Sequence, residues 1–422
     1  MNLKVDANKE HIMKNSHYLF LIPFVFITCN VKSTKQQKTP RVEMNEAFVI
    51  NPQEFEKNNL SLSVFADDIK YIPLSNSLLI GYAYPFRVTP NAVYLVYDSS
   101  GGGEGNGHAE LFRFDKNGQN PVQIGRVGNG PQEYLSGNCF AVDEANNRIY
   151  ISTKINTVLA FDTLGNYIRE FKFQNTELSF SKLDILSSNR LFLPQSKLGA
   201  KGSYLWYVID TLGNVISTKS NSTPLFETQT GPQSGTFKYK DKISYWVDYN
   251  DTIFEISPDL TYHASYIIAP DEPRVDESEL HHRAGSLLKP SEYYLPRFFI
   301  ETNKYLINRY SYKGTYAFSF IDKETRKTYT CNYELGQGIT GGIVNDFDAG
   351  LMFFPLDYFP DGENEYLCAI IQPFELKTHI ATDEFKNSTA KYPEKKKELE
   401  KLANNLKEND NPVLMLVKLK KE

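Results

Sequence analysis

The chain has 422 residues, with 46 basic and 51 acidic side chains and a net charge of −5. That mild balance excludes the strongly basic footprint by which a folded surface holds nucleic acid or anionic lipid. With 28 Phe and 27 Tyr, frequent β-branched residues and a single segment of clear helical period, the composition points to strands.

At the N-terminus Lys14 precedes an apolar run, Tyr18 to Ile27, that ends in Thr28-Cys29-Asn30. The run is too short for a membrane-spanning helix, and its flanks suit a secretory signal, with Met13 as an alternative start. Cys29 stands where a bacterial lipobox has its cysteine, although Phe26 and Thr28 are unusual there. Cleavage before Cys29 would make it a lipidated first residue and leave the chain in the cell envelope, as an outer-membrane lipoprotein facing the periplasm or the outside. An ordinary signal peptide with a chance cysteine is the alternative. The polar stretch that follows reads as a tether. The expected organisation is therefore 1–29 signal peptide, 30–58 flexible tether and 59–422 folded body. Cys139, Cys331 and Cys368 are far apart and odd in number, which favours free buried thiols over a disulfide framework.

The body opens with a strand at Ile69 to Leu74, then Asn91 to Asp98, a glycine-dense loop at Gly101 to Gly107, and Leu111 to Phe114. A turn phrase then returns: Phe114-Asp115-Lys116-Asn117-Gly118, Phe161-Asp162-Thr163-Leu164-Gly165 and Ile209-Asp210-Thr211-Leu212-Gly213. Weaker echoes stand at Ile256-Ser257-Pro258-Asp259 and Ile321-Asp322-Lys323-Glu324. Steps of about 47 residues match one propeller blade of four strands, and the glycine supplies the positive φ that a hairpin turn demands. Further copies are read at Lys242 to Val247, Lys304 to Ile307 and Gly350 to Phe354. Six copies give an all-β, six-bladed β-propeller, with an insertion over Asp271 to Arg297 between the fourth and fifth. Leu399, Leu402, Ala403 and Leu406 fall on one face of a helix expected over Pro393 to Glu408. Pro412 to Leu419 reads as a last strand, which would pair with the strand at 69–74 and close the ring.

The run Ile124-Gly125-Arg126-Val127-Gly128-Asn129-Gly130-Pro131-Gln132-Glu133-Tyr134, together with the repeated turns, resembles the six-bladed β-propeller lipoproteins of Bacteroidetes, akin to the NHL and TolB-like types. That family usually has glycine where this chain has Gln132. The resemblance spans roughly residues 60–420. It implies the fold and an envelope setting, and no settled activity, so it hands over no catalytic residue.

Two classes of function fit. In the first the propeller is a binding module for a small ligand or an envelope protein, held at the membrane through Cys29 and without affinity for nucleic acid. Arg87, Arg126, Glu133, Tyr134 and Arg297 are its candidate binding residues, as charged or aromatic groups near strand starts and loops. The alternative is a propeller enzyme, a lyase or a metal-dependent lactonase or hydrolase, with its site in the central channel. No catalytic residue, metal ligand set or cofactor is assigned. The glycines of 125–130 can offer N–H groups to an anion beside Arg126, or they form a tight crossing between blades. His281-His282 point apart in extended chain, and Asp248, Asp251, Asp346 and Asp348 lack a twelve-residue calcium-loop pattern. Trp206, Trp246 and the many tyrosines would suit sugars, but strand packing explains most of them.

Overall fold

Leu205 to Ile209 and Leu414 to Val417 are buried at every position. A strand that is apolar on both faces must be covered on both faces, and stacking sheets like blades in a ring does this for every sheet. The structure, a computed structural model, describes residues 47–56, 60–81, 83–98, 109–154, 156–174, 180, 182–195, 204–221, 234–247, 250–269, 291–335 and 339–421. Its six sheets form a six-bladed β-propeller. The signal peptide, Cys29, the tether to residue 46, the glycine-dense loop, Asp248 and His281-His282 lie outside these residues.

Alternate residues of each middle strand enter opposite seams, as a period of two requires. Val93 and Leu95 pack toward the blade before them, while Tyr94 and Val96 pack toward the blade after. Tyr207 and Ile209 likewise oppose Trp206 and Val208. Apolar seams fill every gap around the ring, ending with Phe318 against Met415. Each large side chain fully buried in this way contributes about 1.5–3 kcal/mol.

Every blade begins with its inner strand. These are Ala83–Val88, Phe140–Asp143, Asp184–Ser187, Ser234–Tyr239, Leu295–Glu301 and Asp357–Asp361 for blades 1 to 6. Blade 6 combines three C-terminal strands with one from the N-terminal side. Ala66–Pro73 pairs antiparallel with Val413–Leu419, with Ile69 opposite Val417 and Ile72 opposite Leu414. The expected closure of the ring by both ends of the folded chain is present.

Three local expectations change. Phe48–Ile50, inside the stretch expected as a tether, pairs in parallel with Tyr262–Ile268 and adds a fifth strand to blade 4. Gly350 to Phe354 is not a strand of blade 6. It makes one isolated bridge, Phe353 to Ile343, because Ala349 at φ +60° and the Gly350 N–H on Asp348 form a turn there. Finally, Pro373–Ala381 and Asp383–Asn387 are helices in addition to Pro393–Asn405. Their signals are a capping box from Gln372 to Glu375 and a Thr382 hydroxyl on the Phe385 N–H.

The repeated turn does two jobs. Asp162 Oδ1 accepts the N–H groups of Leu164 and Asn166 at 2.9 and 2.8 Å, and Gly165 closes the turn on the Asp162 carbonyl at 3.0 Å. Asp115 and Asp210 repeat this geometry. Gly118, Gly165 and Gly213 have φ of +73°, +84° and +90°. A Cβ on any of them would fall under 3.0 Å from a backbone carbonyl, that of Pro73, Gln123 and Lys172 respectively. Each of those residues ends the outer strand of the preceding blade. The glycine is therefore fixed by the seam between blades as well as by the turn. The echoes place Leu260 at φ +76° and Arg326 at φ +63°. Beside Arg326, blade 4 is widened by Phe48–Ile50, and the guanidinium lies 3.3 Å from the Phe48 ring centroid.

Gly213→Ala is expected to cost more than about 2 kcal/mol in denaturant unfolding, since the left-handed conformation alone costs about 1–2 kcal/mol and the Lys172 carbonyl must also move. Leu212→Ala, at a position 68% exposed, is the control and should be near neutral. Equal stability of the two variants would contradict the seam.

Candidate functional site

Inner strands of neighbouring blades approach each other in three pairs, Phe140–Asp143 with Asp184–Ser187, Ser234–Tyr239 with Leu295–Glu301, and Asp357–Asp361 with Ala83–Val88. Arg87, in the inner strand of blade 1, places one guanidinium nitrogen 2.9 Å from Asp357 Oδ1, at the first position of the inner strand of blade 6. The other Asp357 oxygen accepts the Val88 N–H at 2.7 Å. Arg87 keeps 42% of its side-chain surface accessible although protein surrounds it. It stands partly open to solvent at the junction of the blade 6 and blade 1 inner strands.

Across the axis, Lys182 leads into the inner strand of blade 3. Its ammonium donates to the Thr236 carbonyl of blade 4 at 2.5 Å, and the Thr236 hydroxyl donates to Asp184 Oδ2. Lys238, two residues beyond Thr236, donates back across the same seam to the Ile185 carbonyl at 2.9 Å. These groups act on one another electrostatically although their blades are not neighbours. Asp357 holds Arg87 charged, and Asp184 of blade 3 reinforces it. Lys182 feels Asp184, Arg87 and Asp357. Such coupling between blades 1, 3, 4 and 6 is possible only where all four converge, at the axis.

Enclosure moves the titrations. Desolvation lowers Lys182 and Lys238 from the ordinary lysine value, with Asp184 opposing the shift in both. Burial raises the Asp357 carboxyl, while Arg87 and the Val88 N–H pull it back. Burial also pushes the Cys139 thiol, at the mouth of blade 2, up to about 12. Cys139, Cys331 and Cys368 are all free, and a thiol so far up is unreactive at neutral pH.

The five residues expected to form one site are dispersed. Arg87 belongs to the channel. Glu133 folds back into its own loop, taking the Gly130 N–H at 2.8 Å and standing where a Cβ on Gly128 would collide with it. The chain's own carboxylate thus fills the cradle that the glycines of 125–130 would offer an anion. Tyr134 is fully buried, its hydroxyl accepting the Leu111 N–H at 3.0 Å. It holds the crossing between blades 1 and 2. Gln132, where the resembling family has glycine, sits at φ +66°, a conformation costing roughly 1 kcal/mol without glycine. Arg126 is exposed, and Arg297 lies in a bulge of the blade 5 inner strand, its charge acting on Tyr333. Of the calcium candidates, Asp346 accepts the Ser63 N–H at 2.9 Å and Asp348 the Tyr71 hydroxyl at 2.8 Å. Both carboxylates clamp the segment from Ser63 to Tyr71 to the link between blades 5 and 6. Trp206 is packed among Phe192, Tyr245, Phe254 and Tyr262, away from any sugar. Among the described residues no three His, Cys, Asp or Glu side chains converge as a metal site requires.

Lys182, Asp184, Lys238 and Asp357 went unnoticed in the sequence. Only Asp184 to Thr236 and Arg87 to Asp357 contacts reveal them, and these span the ring. A separate groove of about 780 Å³ lies on the rim between Ala47–Glu56 and Arg326–Thr328, far in the fold from the channel charges.

The fold and channel define a six-bladed propeller with a charged axis. Residues 47–418 match the family described as a domain of unknown function, DUF4934, and the chain belongs to that family. No curated protein matches the sequence. A crystal structure of a Bacteroides fragilis protein, named as exported, is similar with a TM-score of 0.61 at 18% identity, over 89% of this chain and 99% of its own. At that identity it shows the fold alone. A Bacteroides vulgatus member of the DUF4221 family has a TM-score of 0.45 at 12% identity, covering 85% of this chain and 98% of its own.

Asp357→Ala leaves the Arg87 guanidinium and the Val88 N–H without their shared acceptor. A loss of about 2 kcal/mol or more is expected, because hydrogen bonds to charged groups contribute about 1.5–3 kcal/mol each. Urea unfolding at neutral pH checks this, and an unchanged midpoint would show that the pair does not exist in solution.

Proposed function

We propose that the protein is a cell-envelope ligand-binding module whose site is the central channel, and that Cys29 anchors it as a lipoprotein. The observation that carries the first part is the convergence of charged side chains from blades 1, 3, 4 and 6 on one accessible passage. A rigid ring presents such groups without reorganisation, so little ordering cost opposes binding. The second part is supported by the lipobox-like end of the apolar run. Acyl chains would supply membrane affinity of about 0.8 kcal/mol per buried CH₂. That suits a folded body of mild net charge, which has little attraction of its own for lipid.

A thermal-shift screen of the full chain against a broad panel of small molecules, charged and uncharged, tests the channel. Compounds that raise the melting temperature should lose their effect in Lys238→Trp, which fills the passage at an exposed position. A panel without any hit, or hits indifferent to that substitution, would overturn the channel as the site. For the anchor, Cys29→Ala is expected to move the protein from the membrane fraction to the soluble fraction of the native host. Unchanged fractionation would rule the lipid anchor out.

A further inference from the structure

The two channel lysines are underused. An ammonium carries three donors, yet Lys182 makes one hydrogen bond, to the Thr236 carbonyl, and Lys238 makes one to the Ile185 carbonyl. Neither has a carboxylate within ion-pair distance among the described residues. The nearby acids are already engaged: both oxygens of Asp357 are taken by Arg87 and Val88, and Asp184 takes the Thr236 hydroxyl. Arg87, Lys182 and Lys238 thus stand near Asp184 and Asp357, neither of which forms an ion pair with a lysine among the described residues. Asp143 and Asp241 also act on Lys238. Asp143, however, is held by Asn146 at 2.9 Å and stands opposite Arg148, while Asp241 lies in the turn between Lys240 and Lys242.

The lysines reach across the blade 3–blade 4 seam from opposite sides, Lys182 from blade 3 onto blade 4 and Lys238 from blade 4 onto blade 3. Their free donors thus flank a single stretch of the channel wall. We infer that this stretch binds a small oxyanion, a carboxylate or phosphate group of the ligand, between Lys182 and Lys238 with Arg87 in electrostatic reach. An oxyanion supplies acceptors for the unused N–H groups, and hydrogen bonds between charged partners are the stronger kind. Desolvation lowers the titration of both lysines, and the charge of Asp184 offsets it only in part. This inference rests on the channel being the binding site and adds the chemistry of what enters it.

Isothermal titration of the full chain with inorganic phosphate and, separately, with succinate tests it, against sodium chloride at matched ionic strength. Saturable binding of at least one anion is expected, weakened tenfold or more in Lys182→Met and in Lys238→Met while the circular-dichroism melting temperature of each variant is kept. The arm that binds tells a phosphate site from a carboxylate site. Because Lys238 is exposed, its variant remains informative even if Lys182→Met fails to fold. Absence of saturable binding in both arms, or binding equally strong in the variants, would overturn the inference. If uncharged compounds alone bind in a manner lost in Lys238→Trp, the channel stands as the site and the oxyanion falls.

Discussion

Everything in this fold depends on the pairing of Ala66–Pro73 with Val413–Leu419. Until those two segments meet, blade 6 has three strands and the ring has an open seam, with Ile72, Leu414 and Leu416 uncovered. The contact spans more than 340 residues of chain, so its loop-closure cost is recovered only through the apolar seams that closure completes. Three clamps reinforce it. Ser63 and Tyr71 are held by Asp346 and Asp348, Lys395 of the last helix pairs with Asp68 at 2.8 Å, and Asn411 ties the Ile80 N–H to the start of the final strand at 2.6 Å.

Closure also creates the channel. Arg87 stands in the first complete blade and Asp357 in the last, and their 2.9 Å contact exists only because blade 6 has come round to blade 1. The polar axis is thus a product of the ring as a whole, and no single blade contains it. The seams between blades are filled mainly with aromatic and aliphatic side chains, and the buried charges outside the channel, such as Glu301 with Lys323 and Asp348 with Tyr71, have close partners. Desolvating a charge without a close partner costs several kcal/mol. An interior that retains Lys182 with one hydrogen bond is therefore kept away from its most stable arrangement, as binding sites commonly are.

The scaffold was legible in the sequence because it is local and repeated. Asp115, Asp162 and Asp210 announce the turns, and their glycines mark both the left-handed conformation and the approach of the neighbouring blade. The second role could not be read, since it involves a carbonyl on another blade. The inner strand of blade 6 was misread for a related reason. Gly350 to Phe354 is apolar and resembles a strand, whereas Asp357–Asp361 carries two aspartates and a proline and becomes a strand only through pairing with Asn364–Ile371. Arg87 was legible as a charged group near a loop, but its partner lies 270 positions away. Glu133 looked like part of an exposed site, and the loop geometry that turns it inward leaves no trace in spacing. The channel lysines are invisible to any periodicity, because what distinguishes them is the lack of a carboxylate in three dimensions.

Common turns build the ring, and differences between the inner strands equip it. The most direct measurement of that account is the titration of the Lys182 ammonium by nitrogen-detected NMR on the folded chain. An ammonium enclosed at the axis without a carboxylate partner should lose its proton below the ordinary lysine value of about 10.4. A titration at or above that value would contradict the account, because it would mean that Lys182 is either solvated or paired.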